Sequence, residues 1–112
     1  MTMERLCFLI NLVPGTEAEY ERRHDEIWPD MTAAIVAAGF TNYSLFRRGT
    51  RVIGYAECVP DVKTVLAKMS AAEVNTRWGE SYAGIIESMS DSNGDLLRYN
   101  EAWRLDESGA SQ

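Results

Sequence analysis

The sequence is poor in the residues that build metal and nucleotide sites. Its 112 residues include one histidine and two cysteines. One histidine and two distant cysteines cannot make a closed zinc site. No glycine-rich phosphate loop is present, which disfavours a nucleotide cofactor. We therefore expect a protein that works without a metal ion and without a cofactor.

Long apolar runs and an excess of positive charge are also missing. The longest apolar run covers residues 6–10, whereas a membrane-spanning helix needs about 20 residues. The net charge is −6, from 17 acidic and 11 basic residues, which is the wrong sign for a general nucleic-acid binder or an anionic membrane surface. The N-terminus lacks the features of a signal peptide. We expect a cytoplasmic protein with reduced thiols and with neither nucleic acid nor membrane as a partner.

The length and composition are those of one folded domain. A typical domain has roughly 100–150 residues, and 46% hydrophobic with 25% charged residues is close to the globular average. We predict a single domain over residues 1–106. Residues 107–112 are small and polar, and we predict that they form a flexible tail.

Apolar runs and chain breakers predict the first half of the fold. A strand at residues 6–12 is followed by Thr16 and Glu19, which fit a capping box at the start of a helix that runs to about residue 26. Pro29 interrupts this helix, which continues over residues 30–38, and Gly39 ends it.

The second half of the chain predicts a hairpin, two helices and a last strand. Gly49-Thr50 joins two strand-like runs into the hairpin. The predicted segments are strands at 42–48 and 51–58, helices at 62–69 and 71–89, a loop at 90–94 and a strand at 96–105. The order β-α-β-β-α-β is the ferredoxin-like split βαβ arrangement, an α+β fold with an antiparallel sheet and helices on one face.

The strands carry bulky residues on both of their faces, although the helices can cover only one. In the first strand Leu6, Phe8 and Ile10 alternate with Cys7 and Leu9. A sheet with one solvated face alternates more cleanly. We therefore expect a second copy to cover the open face, which gives a homodimer of the dimeric α/β-barrel kind.

His24 is the best candidate for acid/base chemistry, because no other side chain has an ordinary pKa, about 6.5, so near neutrality. Tyr20 lies four residues earlier, and such pairs share one face of a helix. Glu17, Tyr20, His24 and either Ile27 or Trp28 form one stripe. A single histidine on a helix is usually structural, so the stripe nominates His24 without assigning catalysis to it. The opposite, solvated side carries Glu19, Arg22, Arg23 and Glu26.

With metal and nucleotide sites disfavoured, the kind of site that the sequence still predicts is a cofactor-free pocket lined by aromatic residues and one histidine. Flat apolar faces with polar rims suit a sugar, a phenol or a polyketide. Each aromatic residue taken singly is more often part of a core. The candidates are Trp28, Trp78, Tyr43, Tyr55 and Tyr82.

The segment at residues 19–29, EYERRHDEIWP, resembles the pattern E-Y-x-x-R-H-x-x-I-W-P of the L-rhamnose mutarotase family. The resemblance extends over about residues 4–105. Gly39 followed by Asn42-Tyr43-Ser44 is similar to the start of a strand in the family, and Arg77-Trp78 is similar to the start of its R-W-W element.

This resemblance implies a cofactor-free homodimer with the ferredoxin-like fold that interconverts the α and β anomers of L-rhamnose. It implies that His24 is the proton donor and that Tyr20 and Tyr43 bind the substrate. It implies that Trp78 and position 79 contact the sugar, and we add Trp28 from the helix stripe. The family's second tryptophan is Gly79 here, and its N-P-D-N-S-P loop is replaced by residues 90–94. Both departures bear on which deoxy sugar is bound.

Two questions stay open at this point. The base that takes the proton from the anomeric hydroxyl could be Glu17, Asp30 or a water molecule. The same fold could also serve a cofactor-free monooxygenase acting on a phenol, or a sugar-binding module without catalysis.

Overall fold

An antiparallel sheet with helices packed against one face makes up the described part of the chain, residues 2–106 and 108–109 of the computed structural model. In chain order the elements are β1 (Glu4–Leu12), α1 (Glu17–Asp25), α2 (Pro29–Ala38), β2 (Phe40–Arg48), β3 (Arg51–Cys58), α3 (Val62–Ala71), α4 (Glu73–Glu80), β4 (Ile86–Ser88) and β5 (Arg98–Tyr99).

The sheet has the strand order β2-β3-β1-β4, and β5 also pairs with β1. All pairs are antiparallel, and β1 lies in the middle with β3 on one side. Two consecutive strands, β2 and β3, form one edge of the sheet, and the crossovers through the helices bring β4 to the other side of β1. This arrangement confirms the predicted α+β, ferredoxin-like fold class.

The core lies between the sheet and the helices. Alternate residues of β1 (Leu6, Phe8, Ile10, Leu12) and of β3 (Val52, Ala56, Cys58) are buried on the same face of the sheet. Helix residues pack against them, among them Tyr20, Met31, Val65 and Met69. Gly54 faces the Phe8 ring across the strand pair, and a Cβ atom added there would lie 2.2 Å from that ring. The large aromatic side chain therefore occupies space that only glycine leaves free.

The predicted helix breaks are confirmed. The first helix ends at Asp25, and α2 begins with Pro29 in its first turn, where a missing N–H costs nothing. Gly39 ends α2 in the left-handed conformation, with φ of 112°. The hairpin between β2 and β3 turns at Gly49 and Thr50, as predicted.

The predicted capping box at Thr16 is wrong. The Thr16 side chain makes no cap bond to the helix, and its hydroxyl donates instead to the Val13 carbonyl at 2.7 Å. Glu19 does not reach back, because Arg22 and Arg23 hold its carboxylate. The threonine closes the turn before the helix rather than capping the helix itself.

The predicted helix at residues 71–89 and the predicted strand at 96–105 are also wrong in extent. Helix α4 ends at Glu80, turns follow it, and Gly84 has a φ of 83° that does not fit a right-handed helix. The free edge of β1 is then shared. The segment Ile86–Ser88 pairs with its end, while Arg98–Tyr99 pairs with its middle, and the Leu9 N–H donates to the Leu97 carbonyl. Two short strands thus occupy the position predicted for one long strand.

The face of the sheet that the helices leave open carries apolar side chains. Cys7 and Leu9 of β1 are half-buried there, and Phe46 of β2 and Ile53 of β3 lie opposite each other in the register. Most of the predicted tail, residues 107 and 110–112, lies outside the described residues. Among the helices of residues 2–106 and 108–109, none is long and apolar enough to cross a membrane.

Candidate active site

Helix α1 brings Tyr20 and His24 together, as their spacing predicts. Their ring centroids lie 4.5 Å apart. A third residue, Tyr82, approaches them from the turns after α4. The ring centroids of Tyr82 and His24 lie 5.6 Å apart. The Tyr82 hydroxyl oxygen lies 2.9 Å from His24 Nδ1. The Nδ1 atom also lies 3.2 Å from the Tyr20 carbonyl oxygen. The histidine is therefore held on its Nδ1 side.

A cavity of about 390 Å³ lies between α1 and the β2–β3 edge of the sheet. This volume falls within the range of small-molecule sites, about 300–1,000 Å³. An ion pair between Arg47 and Glu21, with 3.0 Å between guanidinium and carboxylate, links β2 to α1 beside it. The lining residues are Tyr20, Glu21, His24, Asp25, Leu45, Arg47 and Val52.

The two tryptophans of the prediction lie on the other side of His24. The Trp78 ring stands edge-on to His24 at 5.6 Å and to Trp28 at 4.9 Å. Both tryptophans line a second cavity of about 180 Å³ together with Arg22, Arg23, Glu26 and Ser81. His24 thus separates the larger cavity from an aromatic wall. The structure brings Tyr20, His24, Trp28 and Trp78 into one cluster, but around two cavities.

The Tyr20 hydroxyl is the one buried side-chain polar atom without a hydrogen-bond partner in the described part of the chain. Tyr20 is only 3% exposed. Burial, with smaller contributions from Tyr43 and Tyr82, raises the pKa of Tyr20, so its phenol keeps its proton. A buried polar group without a partner costs free energy. Tyr20 also lines the larger cavity.

Burial lowers the pKa of His24 below its ordinary 6.5 and so favours the neutral ring. Two smaller effects oppose it, namely the hydrogen bond to the Tyr20 carbonyl and the charge of Asp25. A neutral imidazole has one N–H donor and one acceptor nitrogen. His24 can therefore take up a proton at its acceptor nitrogen, and the cationic ring can give that proton back.

Tyr43 and Gly79 flank this cluster. The Tyr43 ring packs against Phe40 at 5.1 Å and edge-on to Phe8 at 6.1 Å, and burial raises its pKa to about 12. It lies on the helix side of the sheet, near Tyr20 but outside the wall of the larger cavity. Gly79 is exposed on α4, and a Cβ atom there would meet nothing within 4 Å. The position next to Trp78 is thus open.

The two side chains proposed as bases are engaged elsewhere. Glu17 accepts the Gly15 N–H at 2.6 Å, and Asp30 pairs with Arg77 at 3.6 Å. The carboxylates that do line the larger cavity belong to Glu21 and Asp25. We had placed neither in the site.

The other residues missed from sequence are Arg47 and Tyr82. Tyr82 was considered only as one of several aromatic residues, because nothing local ties it to a histidine 58 positions away. Arg47 carries no signal of its own, since charged residues alternate normally along an edge strand. Within the described part of the chain, no group of three histidine, cysteine or acidic residues could hold a metal ion.

The fold and this cluster together define a small ferredoxin-like protein with one half-buried histidine set among aromatic and hydroxyl groups, an arrangement suited to carbohydrate chemistry. A sequence model of the L-rhamnose mutarotase family matches residues 5–105. The chain belongs to that family.

Relatives named L-rhamnose mutarotase match along nearly their whole length. The chain is 38% identical over 105 residues to the L-rhamnose mutarotase of Listeria monocytogenes, covering 92% of this chain and 99% of the relative. It is 36% identical over 106 residues to that of Bacillus subtilis, covering 93% and 100%. The crystal structure of L-rhamnose mutarotase from Formosa agariphila superposes with a TM-score of 0.74 at 20% identity, covering 92% and 99% of the two chains. That structural likeness supports the fold.

Proposed function

We propose that this protein is an isomerase that interconverts the α and β anomers of L-rhamnose. The family membership supports the reaction. The observation that carries the site assignment is that Tyr20 and His24, whose ring centroids lie 4.5 Å apart, both line the larger cavity. A sugar presents several hydroxyl groups that can hydrogen-bond to such residues without any charge on the ligand.

The reaction opens the hemiacetal to a free aldehyde, rotates the C1–C2 bond and closes the ring on the other face. Opening needs an acid that protonates the ring oxygen and a base that takes the proton from the C1 hydroxyl. Closure reverses both transfers. A positioned proton transfer typically contributes about 10²–10⁴-fold. We assign the acid role to His24, because its cationic ring can give a proton to the ring oxygen of the sugar, and the neutral ring so formed can take the proton back on closure.

The remaining roles follow from position. The Tyr20 phenol, which keeps its proton, would hydrogen-bond the ring oxygen or a sugar hydroxyl. Tyr43 would extend the hydroxyl-binding surface beside it. Trp78 packs edge-on against the His24 ring, and Trp28 packs against Trp78. Gly79 stands where the family has a second tryptophan, so related deoxy sugars such as L-fucose belong in the test.

Saturation-transfer proton NMR on L-rhamnose near neutral pH tests this proposal. Irradiating one anomeric proton transfers saturation to the other only when the anomers exchange rapidly. We expect protein-dependent transfer that His24→Ala abolishes and Tyr20→Phe weakens. Glu73→Gln is the control, because this exposed side chain on α4 lines neither cavity. If His24→Ala left the anomer exchange rate unchanged, the assignment of the acid role to His24 would be wrong.

The two alternative functions are not favoured, because the relatives carry the mutarotase name. Saturable sugar binding without rate enhancement would indicate the binding module. Oxygen uptake with a phenolic substrate would indicate the monooxygenase.

We also propose that the protein is a homodimer that buries the open face of its sheet. The exposed apolar residues Phe46 and Ile53 support this, since they lie opposite each other on that face. We keep the prediction of a cytoplasmic location. Cys7 and Cys58 lie on opposite faces of the sheet and would remain free thiols there.

A further inference from the structure

We propose that Glu21 and Arg47 form a specificity-determining pair that binds the hydroxyl groups across the sugar ring from its oxygen. The inference rests on the proposed function, because it names the part of the sugar that each end of the larger cavity takes. Glu21 on α1 and Arg47 on β2 both line that cavity, and 3.0 Å separates the Glu21 carboxylate from the Arg47 guanidinium. The pair therefore bridges the helix and the edge strand at the wall of the cavity.

Glu21 lies about one helical turn before His24 on the cavity side of α1. Both side chains line the cavity, and residues three positions apart are neighbours on one helix face. Three residues advance about 4.5 Å along the helix axis. In a pyranose, C3 is the ring carbon opposite the ring oxygen. A sugar that lies along α1 in the cavity, with its ring oxygen at His24, therefore has its C3 hydroxyl toward Glu21.

The second carboxylate at the cavity, that of Asp25, belongs to the reacting end. Asp25 follows His24 directly, and its charge raises the pKa of that ring against the effect of burial. Leu45 and Val52 contribute apolar side chains to the wall. Glu21 and Arg47 are therefore the charged pair that the cavity offers to the far side of the sugar.

The pair places a hydrogen-bond acceptor and a donor side by side. Arg47 donates from Nη1 to the Gly49 carbonyl oxygen at 2.9 Å and from Nη2 to the Glu21 carboxylate at 3.0 Å. These two contacts hold the plane of the guanidinium. A guanidinium has five N–H donors and a carboxylate can accept about four hydrogen bonds, so both groups have capacity for a ligand. The C3 hydroxyl can donate to Glu21 while a neighbouring hydroxyl accepts from Arg47.

A purely structural ion pair would give different results from this binding role. The Glu21 and Arg47 side chains are 55% and 28% exposed, and exposed ion pairs add little to stability because water screens them. We therefore expect removal of either side chain to change the unfolding temperature little. A bridge that only joins α1 to β2 would leave the preference for particular sugars unchanged.

The test compares the binding of L-rhamnose with that of 3-deoxy-L-rhamnose, which lacks only the C3 hydroxyl, by NMR titration of the full-length protein. We expect wild type to bind L-rhamnose about 10-fold more tightly, the effect of one hydrogen bond to a charged group. Glu21→Ala should weaken L-rhamnose binding by about that factor and remove the preference between the two sugars. Arg47→Met should weaken the binding of both sugars, because each retains the neighbouring hydroxyls.

Glu73→Ala is the matched control, because it also breaks an exposed ion pair, with Arg77 at 3.4 Å, and lies outside the wall of the larger cavity. Thermal unfolding of each variant checks that it is folded. In saturation-transfer measurements over a range of L-rhamnose concentrations, Glu21→Ala should raise KM and leave kcat nearly unchanged. That combination is typical of a group that binds the substrate and the transition state equally.

Three results would overturn the inference. They are a wild type without the preference for L-rhamnose, a Glu21→Ala variant that keeps this preference, and a wild type that binds neither sugar. Binding is measured separately from anomer exchange. A wild type that shows the preference without exchanging the anomers would therefore contradict the proposed function and support the role of the pair.

Discussion

At the scale of the residue, His24 depends on its surroundings more than on its own chemistry. Its ring is held between Tyr20, Trp78 and Tyr82, and burial disfavours its charged form. Two sequence signals point to His24. One is the four-residue spacing from Tyr20, which places both rings on one face of a helix, and the other is the motif at residues 19–29. Tyr82 reaches the ring through tertiary packing, so no local pattern could reveal it.

The lowered pKa of His24 makes stability depend on pH. In the unfolded chain the ring titrates near its ordinary pKa, about 6.5, whereas the folded protein binds the proton less readily. This contribution is therefore present above about pH 6.5 and is lost as the pH falls through the folded pKa. We expect His24→Gln to lose less unfolding free energy than wild type between about pH 7 and pH 5. Urea unfolding at both pH values measures this, and equal losses would contradict it.

Asp25 should hold the pKa of His24 above the value that burial alone would set, because its carboxylate favours the charged ring. We expect Asp25→Asn to lower the pKa of His24 further, measured by NMR titration of the ring. Glu17→Gln, two turns earlier on α1, should leave that pKa in place. An unchanged pKa in Asp25→Asn would show that the Asp25 charge is screened by solvent.

At the scale of the element, the pairing of β1 with β3 depends on a close approach between Phe8 and Gly54. We expect Gly54→Ala to destabilise the protein by about 1–3 kcal/mol, because the new methyl group overlaps the buried Phe8 ring. Chemical unfolding measures the loss. Gly79→Ala is the control, since its methyl group meets open space. A double variant with Phe8→Leu should recover part of the loss if the clash with the ring is its cause.

The ends of helix α2 could be predicted from the sequence, because proline and glycine restrict the backbone locally. The lengths of the two short strands on the β1 edge could not. Pro29 and Gly39 bound α2 because their allowed φ angles are local properties. The strand predicted at residues 96–105 is only two residues long, Arg98–Tyr99, and Ile86–Ser88 pairs with another part of the same β1 edge. Such sharing depends on which segment lies nearest to β1 in the folded chain, and this is not encoded in any local window.

At the scale of the whole molecule, the two faces of the sheet differ in what covers them. One face and its helices hold the core and the histidine cavity, while the other carries side chains that a single copy leaves in water. An apolar face left open by the helices was predicted from the sequence, because the strands carry bulky residues at both odd and even positions. Covering the open face with a second copy would leave the cavity beside α1 on the opposite side of each sheet.

The proposed dimer can be tested with one charge on that face. Phe46 is 64% exposed on the edge strand β2, and burying a charge there without a partner would be costly. We expect wild type to sediment at twice the mass of the chain and Phe46→Glu to shift toward the monomer. Val36→Glu is the matched control, because Val36 is equally exposed at 67% but lies on α2, on the helix side. A wild-type monomer, or a dimer that survives Phe46→Glu and dissociates in Val36→Glu, would place the interface elsewhere.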